Sequence, residues 1–369
     1  MKILFMTNYP APYRVDFFNE LGKHCDLTVA FEEMPVQQTH RDPNWFNTNY
    51  DNFSAVFLKP AVYHKKHPMF SLQILSEIKK GYDVIIVGVY STFTSMIAIQ
   101  YMISKHIPFY IETDGGSAKD GKGFVEKLKK HLIKHAVGYF SPSSGADEYL
   151  VFYGANKDKI YRYPFTSLQQ SDLLEQPLTR AQKKIYKDRL GMPYDSVFLG
   201  VGQLIHRKGW DLLIKVAAQF PNVGFYIIGG HTSEEYEQLR KAVAANNVHF
   251  VDFKKKEALK EYYYAADFSV LPTRSDFWGL VINEALAYAL PTITTRACVA
   301  GGEMIDNGKN GYLVNVDSEN ELADAISRLL GADNAYEQMQ VNALNTAKEY
   351  TIENMVQAHI CALHLNDQH

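Results

Sequence analysis

The sequence predicts an α/β protein built from two doubly wound parallel-sheet domains. The chain has 369 residues, which is too many for one ordinary hydrophobic core. Short and nearly continuous apolar runs alternate with segments of helical periodicity along both halves of the chain. This alternation is typical of parallel sheets that are covered by helices on both faces.

The first half begins with a strand at residues 2–7, and Pro12 marks the start of the following helix. The predicted strands that follow are 27–31, 55–58, 84–89, 109–112, 138–140 and 160–165, and the predicted helices are 13–23, 72–80, 91–105 and 124–135. Ligands of such sheets bind at the carboxyl ends of the strands. The loops 8–14 and 113–122 are therefore candidate binding segments.

A polar stretch at residues 166–179 has little periodicity and is the predicted linker. The second half repeats the alternation of strands and helices. Its predicted strands are 197–202, 225–228, 249–253, 268–271, 292–295 and 312–314, and its predicted helices are 180–190, 210–219, 233–244, 256–265, 279–289 and 320–330.

The composition excludes several classes of protein. The formal net charge of −3 argues against a nucleic-acid binder. The cysteines Cys25, Cys298 and Cys361 lie far apart and have no metal-ligand spacing, which indicates a reducing cytoplasmic compartment. No apolar run approaches the ~20 residues of a membrane-spanning helix. The first residues fit a buried strand better than a signal peptide.

The stretch 273–291 carries the strongest functional signal. A strand leads into a short polar loop, and a helix begins near Gly279. The carboxylates Asp276 and Glu284 stand eight positions apart, the first in the loop and the second inside the helix. Backbone N–H groups at a helix start suit a phosphate. A carboxylate about one turn further along is placed to bind a pair of sugar hydroxyls, so the pattern predicts a nucleotide-sugar site.

This stretch resembles the signature of family 4 glycosyltransferases, which are retaining enzymes of the GT-B fold. That signature has two Glu residues separated by seven others, with Phe-Gly between them. Here Asp276 stands in the place of the first Glu, Phe277 and Gly279 flank Trp278, and Glu284 matches the second Glu. The resemblance covers nearly the whole chain.

The resemblance implies a GT-B fold, in which two Rossmann-like domains face a cleft. Residues 1–168 are then the acceptor-side domain, and residues 169–349 are the domain that binds the nucleotide sugar. The C-terminal segment 350–369 is expected to return as a helix and pack on the first domain.

The resemblance also implies how the donor is bound. Family members grip the diphosphate with an Arg and a Lys in the pattern Gly-Arg, four residues, Lys-Gly. Lys208 matches the lysine, Gln203 replaces the arginine, and Arg207 is a neighbouring cation that could substitute for it. A surface lysine at a helix start is the alternative for Lys208. The residues expected to contact the nucleotide are Gly202, Gln203, Arg207, Lys208, Gly230, Phe253, Phe277, Gly279, Leu280 and Glu284.

Four residues are candidates for a catalytic role by the same resemblance. Asp276 is expected at the donor sugar, Lys208 at the diphosphate and Glu284 at the ribose. Asp114 stands closest to the position of a family histidine that contacts the donor sugar, and a helix N-cap before a glycine turn is its alternative. In the first loop Tyr9, Tyr13 and Arg14 are available for the acceptor. For Arg14 the alternative is a surface residue at a helix start.

The segment 122–135 is a basic amphipathic helix in the prediction. Lys122, Lys127, Lys129, Lys130 and Lys134 surround an apolar side. Such a helix can lie on an anionic membrane surface, and many members of the resembled family use a lipid-linked acceptor. A solvated charged face over a core stripe is the alternative, and the sequence leaves both open.

The expected function is transfer of a sugar, with retention of configuration, from a nucleoside diphosphate sugar to a glycan or lipid-linked acceptor. Uridine is the commonest base in the resembled family. No cofactor or metal is expected, because the chain contains no Asp-x-Asp sequence. A cytoplasmic protein, with or without peripheral contact at the inner face of the membrane, fits this role in polysaccharide or glycolipid synthesis.

Two other functions remain open at this stage. A GT-B-fold epimerase would act on a nucleotide sugar without an acceptor. A partner subunit that has lost catalysis would explain the departures at Gln203 and Asp276 and the absence of the family histidine.

Overall fold

The structure, a computed structural model, describes residues 1–33, 49–64, 67–116, 123–231, 233–332 and 335–364. The chain divides into two compact units. Unit 1 comprises Met1–Ser167 and Thr351–His369, and unit 2 comprises Leu168–Tyr350. Each unit contains a parallel β-sheet, so the two parallel-sheet domains predicted from the sequence are confirmed.

Unit 1 is built on a seven-stranded parallel sheet with the strand order β3-β2-β1-β6-β7-β8-β9. Its strands are β1 Lys2–Thr7, β2 Asp26–Phe31, β3 Ser54–Phe57, β6 Val84–Val87, β7 Tyr110–Glu112, β8 Gly138–Ser141 and β9 Ile160–Arg162, and β4 Val62–His64 and β5 His67–Phe70 form a separate antiparallel pair. Its helices are α1 Pro12–Leu21, α2 Gln73–Ile78, α3 Phe93–Lys105, α4 Phe124–Ile133, α5 Ser144–Phe152 and α14 Ile352–His364.

The central strand β1 shows why these apolar runs become buried strands. Residues on alternate sides of a strand point to opposite faces, and every residue of β1 after Lys2 is buried. Leu4 and Met6 belong to the core on one face, while Phe5 packs edge-on against Phe18 of α1 on the other. Apolar residues on both faces are what a sheet covered on both sides requires.

Unit 2 is built on a six-stranded parallel sheet with the strand order β12-β11-β10-β13-β14-β15. Its strands are β10 Ser196–Val201, β11 Val223–Ile228, β12 Val248–Val251, β13 Phe268–Leu271, β14 Thr292–Thr295 and β15 Gly311–Val314. Its helices are α6 Arg180–Arg189, α7 Trp210–Ala217, α8 Glu234–Ala242, α9 Lys256–Ala265, α10 Leu280–Ala287, α11 Val299–Met304, α12 Glu319–Leu330 and α13 Tyr336–Glu349.

The core of unit 2 also lies on both faces of its sheet. Phe198 of β10 stacks between Phe225 and Phe268 of the two neighbouring strands, with ring centroids 5.2 and 4.8 Å away. On the other face Val197 and Leu199 pack with residues of α9 and α10. The strand order places β10 and β13 side by side at the centre of the sheet. Loops that leave their carboxyl ends therefore emerge as neighbours.

Several predicted boundaries were wrong. The strand predicted to reach residue 89 ends at Val87, where its pairing with β1 ends at Met6. The strand predicted for 160–165 ends at Arg162, its last pair with β8. The segment 168–179 is less of a free linker than expected, because Leu174 donates a backbone hydrogen bond to Ala287 and packs on the core of unit 2.

Candidate functional site

Two loops meet at the carboxyl ends of the adjacent strands β10 and β13. The first, residues 202–209, connects β10 to α7, and the second, residues 272–279, connects β13 to α10. Several hydrogen bonds join them: the backbone N–H of Arg274 and the hydroxyl of Thr273 both donate to the carbonyl oxygen of Arg207, over 2.8 and 2.9 Å. The Arg207 guanidinium donates to the carbonyl oxygen of Ser275 over 2.6 Å. The loops therefore form one cross-linked platform.

Arg274 holds this platform against α7. Its guanidinium makes two parallel bonds to the carboxylate of Asp211, over 2.7 and 2.8 Å, and a third to the carbonyl oxygen of His206. Partial burial alone would raise the pKa of Asp211, but the Arg274 contacts lower it. Arg274 is a functional residue that the family resemblance did not predict, although it lies inside the signature loop.

The platform brings together three of the residues predicted to form the site. The Lys208 ammonium lies 2.6 Å from Oδ2 of Asp276, and the two side chains are only 10% and 13% exposed. Nη1 of Arg207 lies 3.5 Å from Oδ1 of the same carboxylate. Gln203, in the place of the family arginine, is exposed, and its carbonyl oxygen accepts a hydrogen bond from the Trp210 indole.

Two glycines allow this close approach. Gly209 has a φ of +74°, and a Cβ at this position would lie 2.0 Å from the carbonyl oxygen of Pro272. Gly279 has a φ of +100°, and a Cβ there would lie 2.5 Å from Sγ of Cys298. Both conformations favour glycine. The local structure thus requires glycine at both positions, independently of any contact with a ligand.

Helix α10 begins directly after the platform. Gly279 is its N-cap and has no side chain, so the first N–H groups of the helix receive no hydrogen bond from an N-cap side chain. Glu284 lies in the second turn and accepts a 2.7 Å hydrogen bond from the hydroxyl of Tyr263. Tyr263 is buried and stacks on Tyr288, with ring centroids 4.6 Å apart.

The environment of Glu284 favours its protonated form more than water does. Burial raises the pKa of this carboxyl group, while the hydrogen bond from Tyr263 and the charge of Lys256 oppose the rise. The same contact helps to raise the pKa of Tyr263, for which burial is the larger cause. The Tyr263 hydroxyl thus fixes the Glu284 carboxylate.

The remaining predicted nucleotide contacts lie along the same edge of the sheet. Gly202 follows β10, Gly230 follows β11 and Phe253 follows β12. Phe253 and Phe277 are 66% and 82% exposed, so neither belongs to the core. Leu280 is the first residue of α10. Unit 2 therefore collects all of the predicted donor-site residues except Asp114 at one edge.

Asp114 belongs to unit 1, where it follows β7 and is exposed. Its neighbour Glu112 is fully buried and lies 2.5 Å from the guanidinium of Arg14 and 2.8 Å from Nε2 of His359. The expectation that Arg14 is available for an acceptor was wrong. Arg14 is only 4% exposed because it pairs with Glu112 and packs over the ring of Phe5.

The basic segment forms helix α4, and its predicted first residue, Lys122, lies outside the described residues. The side chains of Phe124 and Val125 at its start are 79% and 60% exposed. Lys129 and Lys130 lie over the rings of Tyr153 and Phe152, at 5.1 and 5.4 Å. The helix therefore presents apolar and basic side chains together. Across the described part of the chain, no helix has the length and apolar character needed to span a membrane.

A metal site has no support from side-chain clustering. Among the residues that the structure describes, no group of three or more His, Cys, Asp or Glu side chains is arranged to hold a metal ion. The predicted absence of a metal requirement stays a prediction.

The domain that contains this platform is similar to known proteins. Residues 182–346, nearly all of unit 2, match the family model of glycosyl transferases group 1. The match lies within unit 2 and covers less than half of the whole chain. Among curated relatives, the D-inositol 3-phosphate glycosyltransferase of Acidothermus cellulolyticus is 32% identical over 196 residues, which cover 48% of this chain and 42% of the relative.

Another relative, an uncharacterized glycosyltransferase of Haemophilus influenzae, is 25% identical over 177 residues. That match covers 46% of this chain and 50% of the relative. The chain thus spans about half the length of the curated relatives it matches.

Solved structures similar to the whole chain show the fold. Anabaena HepE in complex with UDP has a TM-score of 0.75 at 16% identity and covers 99% of this chain and 100% of its own. Sucrose-phosphate synthase from Thermosynechococcus elongatus has a TM-score of 0.72 at 17% identity, with 100% and 99% covered. The predicted GT-B fold is confirmed by these neighbours together with the two parallel-sheet domains.

Proposed function

We propose that the protein transfers a sugar from a nucleoside diphosphate sugar, with UDP as the first candidate for the nucleotide, to a glycan or lipid-linked acceptor. The observation that carries the proposal is the platform of unit 2, in which Lys208, the start of α10 and Glu284 follow one another along the edge of a sheet. The match of this unit to the group 1 glycosyl transferases supports it. The UDP complex of the similar Anabaena protein favours uridine.

Each part of the donor has a proposed partner. Lys208, Arg207 and the first N–H groups of α10 bind the diphosphate and stabilise the charge that develops as it leaves. Glu284 accepts hydrogen bonds from the ribose hydroxyls, and Tyr263 orients its carboxylate. The nucleoside is proposed to contact the remaining residues of this edge, namely Gly202, Gln203, Gly230 and Phe253.

The transfer itself is proposed to proceed with retention of configuration and without a metal, as in the family 4 glycosyltransferases that the signature resembles. Asp276 and Phe277, in the loop that precedes α10, are proposed to face the donor sugar. Fixed cations and helix N–H groups supply the charge stabilisation that a metal gives in other transferases.

Calorimetric titration with UDP and with GDP, in the presence of EDTA, tests this proposal. We expect micromolar binding of one nucleotide, weakened about tenfold or more by Glu284→Gln, because charged hydrogen bonds are each worth about 1.5–3 kcal/mol. Glu257→Gln is the matched control, since this side chain is 83% exposed on α9. Equal affinities of the two variants would remove Glu284 from the site, and binding that needs Mg²⁺ would contradict the metal-free mechanism.

A lipid-linked acceptor would place the protein at the membrane, and we propose that α4 makes this contact. Its exposed Phe124 and Val125 stand beside basic residues, which suits an anionic bilayer surface. Reversal of the exposed Lys127 and Lys134 to Glu should reduce sedimentation with phosphatidylglycerol vesicles. Reversal of Lys157 and Lys159 in a 3-10 turn of the same unit is the control. Equal loss in both variants would exclude a specific role of α4.

The two other functions differ from the transferase in the products they would give. An epimerase would interconvert UDP-sugars without an acceptor, which chromatography of the nucleotide sugars would reveal. A subunit without catalysis would release no UDP from any pair of donor and acceptor, whether or not it binds the nucleotide. Release of UDP that depends on an acceptor, with the anomeric configuration of the product read by NMR, supports the retaining transferase.

A further inference from the structure

One carboxylate occupies the place that the proposed function gives to the donor diphosphate. Asp276 lies 2.6 Å from the Lys208 ammonium and 3.5 Å from the Arg207 guanidinium, so these two cations face the same acidic group. Lys208 and Asp276 are largely buried, which reduces screening of their charges by solvent. An incoming phosphate must therefore share these cations with an anion that is already there.

The backbone of Asp276 is held in place. Its N–H donates to the carbonyl oxygen of Ala297 over 3.1 Å, and the neighbouring carbonyl oxygen of Ser275 accepts from Arg207 and from the Thr273 hydroxyl. With one methylene between Cα and the carboxyl group, Asp276 has a short reach. The short side chain and the fixed backbone together hold the carboxylate close to Lys208.

We propose that Asp276 competes with phosphate for Lys208 and Arg207, and that it weakens binding of the nucleoside diphosphate product more than binding of the intact donor. The inference rests on the proposed function and concerns the same site. Asp276 then has a part in product release that is separate from any contact with the donor sugar.

The charges of donor and product give this competition its direction. In the donor, the β-phosphate is esterified to the sugar. Cleavage of the bond between the anomeric carbon and the β-phosphate oxygen leaves that oxygen ionised, because the second pKa of a phosphate monoester is about 6. The product therefore carries about one more negative charge than the donor beside Asp276. Two negative charges that approach each other in a poorly solvated site repel strongly.

The test is a set of calorimetric titrations with UDP and with UDP-glucose on the wild type and on Asp276→Asn. The variant keeps the shape of the side chain and removes its charge. We expect UDP to bind on the order of tenfold more tightly to Asp276→Asn. UDP-glucose should gain less or lose affinity. Asp276→Glu, which keeps the charge, should bind UDP as the wild type does.

The matched control is Asp324→Asn, which removes the same charge from an exposed ion pair on α12. If it tightened UDP binding equally, a general charge effect would replace the proposal. Weaker UDP binding by Asp276→Asn, or equal changes for UDP and UDP-glucose, would overturn the competition while leaving the proposed function intact. Failure of the wild type to bind either UDP or GDP would overturn the proposed function and this inference together.

Discussion

Gly279 joins the signature loop to helix α10 in a conformation that other residues rarely adopt. A residue with a side chain would meet two separate obstacles here. It would have to adopt a φ of +100°, and its Cβ would lie 2.5 Å from Sγ of Cys298. A strained backbone of this kind costs about 1–3 kcal/mol, and the overlap adds to it. The residue therefore links the stability of unit 2 to the geometry of the proposed phosphate site.

The variant Gly279→Ala should lower the melting temperature by several degrees and weaken UDP binding. Gly302→Ala is the matched control, because a Cβ at that helical position meets no atom within 4 Å. Adding Cys298→Ala to Gly279→Ala relieves the overlap but not the φ strain, so recovery should be partial. Full recovery would show that the backbone conformation costs nothing, and equal melting of all variants would contradict the strain.

The surroundings of Lys183 in α6 shift the pKa of its ammonium group, which has a measurable effect on stability. It is 1% exposed, and its ammonium donates to the carbonyl oxygen of Ala266 over 2.5 Å. Burial lowers the pKa of Lys183 to about 8, with Asp267 opposing and Lys187 adding to the shift. An unfolded lysine has a pKa of about 10.4. Between these values the unfolded chain binds more protons than the folded one.

The free energy of unfolding of the wild type should therefore rise with pH between about 8 and 10, relative to Lys183→Met. The full difference would be about 3 kcal/mol, since one pKa unit is about 1.4 kcal/mol. Urea denaturation of both proteins across this range measures it. Lys184→Met on the same helix, where the side chain is 70% exposed, should run parallel to the wild type. A parallel course for Lys183→Met would contradict the prediction.

Single residues were predictable where a local pattern defined them. Lys208, Asp276 and Glu284 were found from spacing and family resemblance, but the contact between Lys208 and Asp276 joins positions 68 residues apart and depends on the adjacency of β10 and β13. The burial of Arg14 depends on Glu112 and on α14, so a local reading of the loop favoured an exposed residue. No local signal connects those segments.

Among the elements, the strands of the two main sheets and most helices were predicted, whereas α11, α13 and the pair of β4 and β5 were not. Helix α13 went unpredicted although Tyr336, Met339, Ala343 and Ala347 repeat at helical spacing, so the signal was present. Helix α11 contains Gly301-Gly302, which disfavours a helix, and tertiary packing overrides that preference. The strands β4 and β5 contain His and Pro residues and lack the continuous apolar pattern of the main sheet.

Helix α14 is anchored in unit 1 by His359. Its Nδ1 lies 2.7 Å from the carbonyl oxygen of Met355, and its Nε2 lies 2.8 Å from the Glu112 carboxylate. The ring therefore bridges its own helix and the carboxylate of Glu112, the last residue of β7. Burial alone would raise the pKa of Glu112, but Arg14 and the His359 hydrogen bond lower it. The buried carboxylate is thus held between the Arg14 guanidinium and the His359 ring.

Replacement of His359 by Phe should lower the free energy of unfolding by about 1–3 kcal/mol, because Glu112 loses a donor that water cannot replace. The aromatic ring would still stack on Phe140, whose ring centroid lies 4.3 Å away. Cys361→Ala, an exposed position on the same helix, is the control. Urea denaturation gives both values. Equal stability of His359→Phe and the wild type would show that the hydrogen bond contributes nothing to the anchoring of α14.

At the scale of the whole molecule, two sheets with separate cores predict two unfolding events. Trp210 and Trp278 are buried in unit 2 beside the proposed site, while Trp45 lies outside the described residues. Tryptophan fluorescence of a Trp45→Phe variant therefore reports on unit 2 alone. Far-UV circular dichroism reports on both units.

With UDP at about 100 times its Kd, the fluorescence transition in urea should move by the equivalent of about 2.7 kcal/mol. The part of the circular dichroism change that belongs to unit 1 should keep its original midpoint. A titration without UDP, and one with the Glu284→Gln variant, are the controls. Coincident shifts of both signals would show that the two units unfold as one.

The return of the chain to unit 1 after unit 2 has a consequence for synthesis on the ribosome. Unit 1 has its seven strands once residue 162 is made, but Glu112 and Arg14 lack His359 until roughly 200 further residues follow. At about 5–20 residues per second this takes on the order of 10–40 s. During that interval the nascent unit holds a carboxylate and a guanidinium without the helix that covers them. Unit 2 can fold first, although its sequence comes second.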